Sequence, residues 1–176
     1  MPGYLDALER GWSPDNLRAD AAKAHLADAR ADPEAVFQQA DDPDAAGPPI
    51  ILPDGSSVPR LPSLTRWVWR DGFCGVISLR WQPGTTALPP TCAGHVGYAI
   101  VPWRRRQGLA SAALSALLPL ARRVGLDHVD LTTAPTNRAS IRVIEKAGGH
   151  FVADHTRPDR LGGGRAEAWR IPLSAT

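Results

Sequence analysis

The chain has 176 residues, with 43% hydrophobic and 22% charged side chains. That is enough for one domain with a substantial core, and the composition is that of an ordinary globular protein. The net charge of +2 conceals a division: residues 1–50 carry ten acidic and four basic side chains, residues 51–176 eight acidic and sixteen basic. The second part therefore favours anionic ligands. Cys74 and Cys92 form no C-x-x-C pair, which argues against a zinc ribbon and predicts free thiols and no metal site. The chain holds no uncharged apolar run of about 18 residues, the length a membrane span needs. Met1-Pro-Gly-Tyr-Leu-Asp6 lacks the basic and apolar regions of a leader, so a cytoplasmic location is expected.

In chain order, residues 4–11 make a short helical pattern that Gly11 can end. Ser13-Pro14 then offers an N-cap with proline at the first helical position, predicting a helix to about Ala31. Asp32-Pro33-Glu34 starts another short turn. Residues 41–63 read as loop, because Asp41-Asp-Pro-Asp-Ala-Ala-Gly-Pro-Pro and Pro53-Asp-Gly-Ser-Ser are turn chemistry. Residues 64–70 alternate as a strand does, Asp71-Gly72 is a hairpin turn, and Phe73–Trp81 is the returning strand. His95–Val101 is a third strand, and three sequential antiparallel strands are the simplest arrangement.

A helix is predicted from Gly108 to about Val124, capped by Gly125 and interrupted by Pro119, which removes the bond to the Ser115 carbonyl. Val129–Thr133 is a short strand reached through that helix, hence parallel to the strand before it. Asn137 caps a helix over 138–147 that Gly148-Gly149 ends. Phe151–Ala153 and Ala166–Leu173 are two closing strands. The order of elements makes one mixed α/β domain over 1–176, with residues 1–63 helical and loop-rich and 64–173 forming the sheet.

The most informative stretch is Tyr98-Ala-Ile-Val-Pro-Trp-Arg-Arg-Arg-Gln-Gly-Leu-Ala-Ser111. A β-branched strand is stopped by Pro102, a basic loop follows, and a helix opens at Gly108. The first backbone N–H groups of that helix lack intrahelical partners and point one way, forming a built-in anion site that the helix dipole strengthens. Gly108 allows an anion to approach the backbone because it has no Cβ. No Gly-Lys-Ser/Thr follows, so this is not a nucleotide-triphosphate loop, and the Gly-x-Gly-x-x-Gly dinucleotide pattern is also missing.

The spacing Arg105-x-x-Gly108-x-Ala110, the preceding His95-Val-Gly-Tyr-Ala-Ile-Val-Pro strand, and the run Asn137-Arg-Ala-Ser-Ile-Arg-Val-Ile-Glu-Lys-Ala-Gly-Gly149 resemble the GNAT superfamily of acyl-CoA-dependent N-acyltransferases. The resemblance covers about residues 66–173. It implies a single-domain fold with a mixed, mostly antiparallel sheet, a splayed central strand pair and flanking helices. It also implies acetyl-CoA as co-substrate and, as acceptor, a small-molecule amine or a protein amino group. No nucleic-acid or membrane partner is expected, and a homodimer is compatible with the fold. The alternative is a sensor module of the same fold that binds acyl-CoA without turnover.

The resemblance assigns the CoA pyrophosphate to the backbone of Arg105, Arg106, Gln107, Gly108, Leu109 and Ala110, with the Ser111 hydroxyl adding a contact. It assigns the pantetheine arm to main-chain groups of Ile100 and Val101. Asn137 can serve as a helix cap and, as the resemblance implies, as a ligand to the pantetheine amide, the cap being the role its residue type favours. The reaction implied is direct attack of a neutral amine on the thioester, which needs proximity, a base and stabilised charge at the thioester oxygen. His95 and Tyr98 are the candidate catalytic side chains. A separation of three puts them on opposite faces of a regular strand. Ile144 stands where many members have the tyrosine presumed to protonate the departing thiolate. Trp67, Trp69, Trp81 and Trp103 are candidates for lining the acceptor pocket or for packing in the core.

Overall fold

The computed structural model describes residues 1–16, 21–52 and 54–173. Three helices open the chain: α1 (Pro2–Glu9), α2 (Ala21–Ala31) and α3 (Pro33–Gln38). The Asp32 carboxylate caps α3 by accepting from the N–H groups of Glu34 and Ala35, at 3.1 and 3.0 Å. The expected helix start at Ser13-Pro14 is not observed. The Ser13 hydroxyl instead accepts the Asp15 N–H at 3.1 Å, closing a local turn that competes with helix formation. The part of that expected helix over 17–20 lies outside the described residues.

Residues 41–63 are mostly irregular, as expected, but carry three two-residue strands: β1 (Asp41–Asp42), β2 (Ile50–Ile51) and β3 (Ser57–Val58). The first of these has no sequence signature, since two aspartates are poor strand formers. It forms because β4 (Ser63–Trp69) offers an open edge, with Asp41 opposite Leu64 and Asp42 opposite Ser63. β4, β5 (Phe73–Arg80) and β6 (Val96–Ile100) follow as the predicted antiparallel series, so the first sheet has the order β1-β4-β5-β6. Asp71 (φ 52°) and Gly72 (φ 124°) make the turn between β4 and β5. Gly75 on β5 lies close against β6; a Cβ there would run into the Ala99 carbonyl oxygen.

α4 (Leu109–Arg123) crosses to β7 (His128–Thr133), and α5 (Arg138–Lys146) leads to β8 (His150–Thr156) and β9 (Arg165–Pro172). α4 ends as the sequence predicts, with the Gly125 N–H bonded to the Arg122 carbonyl and the Leu126 N–H to that of Ala121. The last three strands form a separate antiparallel sheet of order β7-β9-β8. β6 and β7 therefore share no ladder, and the parallel pairing expected between them reduces to a splay between two sheets.

Two apolar clusters hold the halves together. Beneath α4 and α5 lie Ile77, Leu79, Leu114, Leu117, Val129, Ile144, Trp169 and Ile171, all nearly sealed from solvent. Each such aliphatic side chain contributes about 1.5–3 kcal/mol by leaving water. On the opposite face, α1 and Trp12 bury Tyr4, Leu8, Phe73, Val76 and Val101. Strand alternation divides β6 between the two: Val96, Tyr98 and Ile100 face α4 and α5, and Ala99 faces α1.

Candidate active site

The ladder between β5 and β6 decides which main-chain groups are free. The Arg80 N–H bonds to the His95 carbonyl and the Val101 N–H to that of Cys74. Residues 97, 99 and 101 and the carbonyl of residue 95 thus turn toward β5, and residues 96, 98 and 100 turn their backbone toward the gap beside β7. Only Ile100 of the expected pair turns its backbone there, with its N–H unpartnered among the described residues. Val101 is a correction: its N–H goes to Cys74 and its carbonyl accepts from the Arg104 N–H, so neither is free. Tyr98, expected only for its side chain, turns its backbone to the same edge; its carbonyl accepts from Asn16 and that of Ile100 from Arg105, so among the described residues the Tyr98 and Ile100 N–H groups are the ones left unpartnered there.

The gap closes at one end, where the His95 N–H donates to the Asp130 carbonyl at 2.7 Å, and widens toward the C-terminal ends of both strands. The N-termini of α4 and α5 frame the wide end. At α4 the chain turns through a left-handed Arg106 (φ 61°) and a left-handed Gly108 (φ 74°). Among the described residues none accepts a hydrogen bond from the backbone N–H groups of residues 106–111. A Cβ on Gly108 would meet no atom within 4 Å, so the space before these donors is open. The Leu109 side chain is buried in the core and offers only its N–H, while Ala110 and Ser111 are half-buried in the first turn.

The polar side chains of this loop serve partly as struts. Arg105 Nε donates to the Ile100 carbonyl at 3.0 Å. Gln107 Oε1 accepts from Arg70 just after β4, and an Arg104 Nη donates to the Asp71 carbonyl at 3.1 Å. These last two contacts tie the β4–β5 turn to the loop and fix the direction of its N–H groups. Arg106 is exposed. Asn137 is confirmed as the N-cap of α5, its Oδ1 accepting the Ser140 N–H at 3.1 Å.

The two candidate catalytic side chains have very different surroundings. His95 is fully buried. Its Nδ1 accepts the Asp130 N–H at 2.9 Å and its Nε2 lies 3.1 Å from the Thr86 carbonyl. The only consistent protonation state is the neutral tautomer with hydrogen on Nε2, which leaves no lone pair for a substrate. Burial pushes its pKa below the ordinary histidine value, against the opposing pull of Asp130. Tyr98 reaches across to α5, where its hydroxyl lies 2.6 Å from Ser140 Oγ. Burial raises the phenol's pKa and the Ser140 hydrogen bond opposes that rise. Ile144, one turn further along α5, is sealed in the core at 1% exposure. The Tyr98 hydroxyl thus meets α5 one helical turn before Ile144.

On the α1 side, the Asn16 carboxamide donates to the Tyr98 carbonyl at 3.0 Å, placing the segment after α1 on the open edge of β6. Nothing in the sequence distinguishes Asn16; an isolated polar residue in a turn carries no signal of a partner 82 positions away. Ser140 was visible as part of Asn137-x-x-Ser. Of the tryptophans, Trp67 packs with Tyr4, Phe37 and Phe73 at centroid distances of 4.9, 4.7 and 5.0 Å. Trp81 is core, Trp69 is 61% exposed, and Trp103 lies beneath the Arg10 guanidinium.

A family profile described as an acetyltransferase (GNAT) domain matches residues 12–150. The chain belongs to the GNAT acetyltransferase family. The match runs from the segment after α1 through β7 and α5, and so includes Asn16, His95, Tyr98, the α4 loop and Ser140. No curated protein matches the GNAT chain in sequence. Among solved structures, the ribosomal L7/L12 alpha-N-protein acetyltransferase in complex with coenzyme A is 14% identical, with TM-score 0.60 over 99% of this chain and 89% of its own. A putative acetyltransferase from Salmonella typhimurium with its cofactor acetyl-CoA is 16% identical, with TM-score 0.52 over 100% and 87%. A probable acetyltransferase is 22% identical, with TM-score 0.50 over 62% of this chain and 61% of its own, so this chain spans about three-fifths of that relative's length. At these identities the structures establish the shared fold. No described helix is long and apolar enough to cross a membrane, and no described cluster of His, Cys, Asp or Glu has the arrangement of a metal site.

Proposed function

We propose that this GNAT protein transfers an acetyl group from acetyl-CoA to an amine by direct attack in a ternary complex. The observation that carries the reading is the run of unpartnered N–H groups at the start of α4, opening onto the gap between β6 and β7. A pyrophosphate fits there on three counts: the donors are unpartnered, the space before Gly108 is clear, and Arg106 adds positive charge from an exposed position. The pantetheine arm lies along the edge of β6 that faces β7, where the unpartnered N–H groups of Tyr98 and Ile100 are available to it as they would be to an adjacent strand. The acyl thioester that acetyl-CoA supplies is the activated electrophile.

The chain's own residues then have distinct roles. The N–H groups of Tyr98 and Ile100 point into the gap and stabilise negative charge on the thioester oxygen. The Tyr98 and Ser140 hydroxyls share one proton-donating position beside α5 and protonate the departing thiolate, and the proton that the attacking amine releases to solvent restores the pair. His95 is assigned no proton transfer, because both of its ring nitrogens are engaged. Asn16 stands on the acceptor side of the gap, and the acidic balance of residues 1–50 suits a cationic amine, either a small molecule or a protein amino group.

A second reading, a sensor that binds acyl-CoA without turnover, is favoured by the buried Ile144. Isothermal titration with CoA and acetyl-CoA, followed by a thiol-release screen over amines, antibiotics and peptides, separates the two. Binding near micromolar with release above background supports the transferase, at roughly the strength expected of a co-substrate site. Binding without release across the panel supports the sensor, and absence of binding overturns both.

A further inference from the structure

The two larger sheets of this molecule meet at one main-chain hydrogen bond among the described residues, and His95 supplies both sides of that junction. Its backbone N–H donates to the Asp130 carbonyl, and its Nδ1 accepts the Asp130 N–H. One residue thus replaces a missing ladder step: the backbone serves one Asp130 group and the imidazole the other. On the far side of the ring, Nε2–H donates to the Thr86 carbonyl, which holds the imidazole plane in place. Asp130 is fixed in turn from the neighbouring strand, its two carboxylate oxygens accepting from Arg170 Nε and Nη at 2.7 and 2.9 Å.

We propose that His95 is a positioning residue: it clasps β7 to β6 at the narrow end of the gap and so sets how far the strands part where the donor lies. This rests on the reading that the gap holds the pantetheine arm. The physical reason is leverage. Beyond residue 95 no hydrogen-bonded pair joins β6 to β7, so the angle between the sheets is set at this junction and by packing of α4 and α5 over both. Loosening the narrow end lets the free edge of β6 drift relative to the α4 donors. A shift of this kind costs affinity even though no ligand touches His95.

The clasp works only in the neutral state. A proton on Nδ1 would face the Asp130 N–H, turning an attractive contact into a donor–donor clash. The charged and titratable groups around the ring are Asp130 and His128 on β7, Asp127 just before it, and Arg170 on β9. The His128 ring lies 6.2 Å from that of His95, and its own Nδ1 pairs with Asp127 at 2.6 Å. His128 and Arg170 oppose protonation of His95 and Asp130 favours it, while burial decides the balance against the cation. The junction is therefore intact at neutral pH and opens in acid.

The test compares the intact wild-type chain with His95→Ala and His95→Asn. Asparagine keeps an acceptor near the Nδ1 position and cannot titrate. CoA affinity by isothermal titration between pH 5 and 8, amide exchange at Asp130, and thermal unfolding are measured on all three. At pH 7.5, His95→Ala should weaken CoA and speed Asp130 exchange by roughly tenfold, the value of one hydrogen bond, while His95→Asn stays within about threefold of wild type. Below pH 6, CoA affinity should fall more steeply for wild type than for His95→Asn; using the difference removes the titration of the CoA phosphates. The proposal is overturned if His95→Ala binds CoA as wild type does with Asp130 still protected. It is also overturned if His95→Asn is as impaired as His95→Ala, or if imidazole NMR shows hydrogen on Nδ1. Should wild type fail to bind CoA, the donor reading falls, and Asp130 exchange in the two variants still decides whether His95 joins the sheets.

Discussion

Gly108 and Gly125 bracket α4 and offer a matched pair of substitutions. Both have left-handed backbones, with φ of 74° and 89°, and a Cβ on either would meet no protein atom within 4 Å. An alanine at each position incurs the same backbone cost, about 1–2 kcal/mol for an L-residue in that region, offset by about 0.4–1 kcal/mol of lost unfolded-chain entropy. Each variant should therefore lose about 1 kcal/mol of stability, a drop of roughly 2–4 °C in melting temperature for a chain of this size. Their effects on CoA should differ. At Gly108 the methyl group enters the space before the unpartnered N–H groups, and holding a phosphate off one of them costs about 1.5–3 kcal/mol. The dissociation constant should rise about 10- to 150-fold. At Gly125, where the N–H is spent on the Arg122 carbonyl at the opposite end of the helix, affinity should be unchanged. Differential scanning fluorimetry and isothermal titration on the same preparations give both numbers. Equal CoA affinity in Gly108→Ala, Gly125→Ala and wild type would refute the placement of the donor loop.

The remaining predictions concern single residues. Folded His95 resists protonation, so the unfolded chain takes up a proton near the ordinary value of 6.5 while the folded chain does not until lower pH. Stability should thus be complete above about pH 7 and fall as pH drops below 6.5, by at most about 1.4 kcal/mol per pH unit, and His95→Asn should lose that contribution in denaturant titrations. Tyr98→Phe should lower kcat by about 100-fold with CoA affinity retained, and Ser140→Ala should act in the same direction; wild-type turnover in Tyr98→Phe would remove the phenol from the mechanism. Asn16→Ala should change stability by less than about 1 kcal/mol, as befits an exposed neutral bond, while raising the KM of whichever amine releases thiol. Pro119 is exposed in the interior of α4, and Pro119→Ala should raise the melting temperature by restoring the bond to Ser115, a gain of up to about 3 kcal/mol. An unchanged melting temperature would mean that the helix already accommodates the ring.

What the sequence by itself determined is local. The α4 loop was legible because Pro102, Gly108 and the Leu109–Leu118 run switch the chain from strand to helix within a few residues, and unpaired N–H groups follow from that switch alone. Asn137 and Gly125 were legible for the same reason: a cap bonds within four residues of itself. The β4–β5–β6 series followed from alternation and a turn dipeptide. Tertiary structure decided what depends on contacts between distant residues. The two-residue β1 exists only because β4 has an edge to offer. Val101 lost its expected role because ladder parity assigns its N–H to Cys74, and parity is fixed by register, which no residue type encodes. His95 had the residue type of a base, but its location gives it two backbone partners and no solvent. A pKa and a lone pair belong to the surroundings of a side chain, so only the folded arrangement of Thr86, Asp130 and His95 could show that this imidazole joins two sheets.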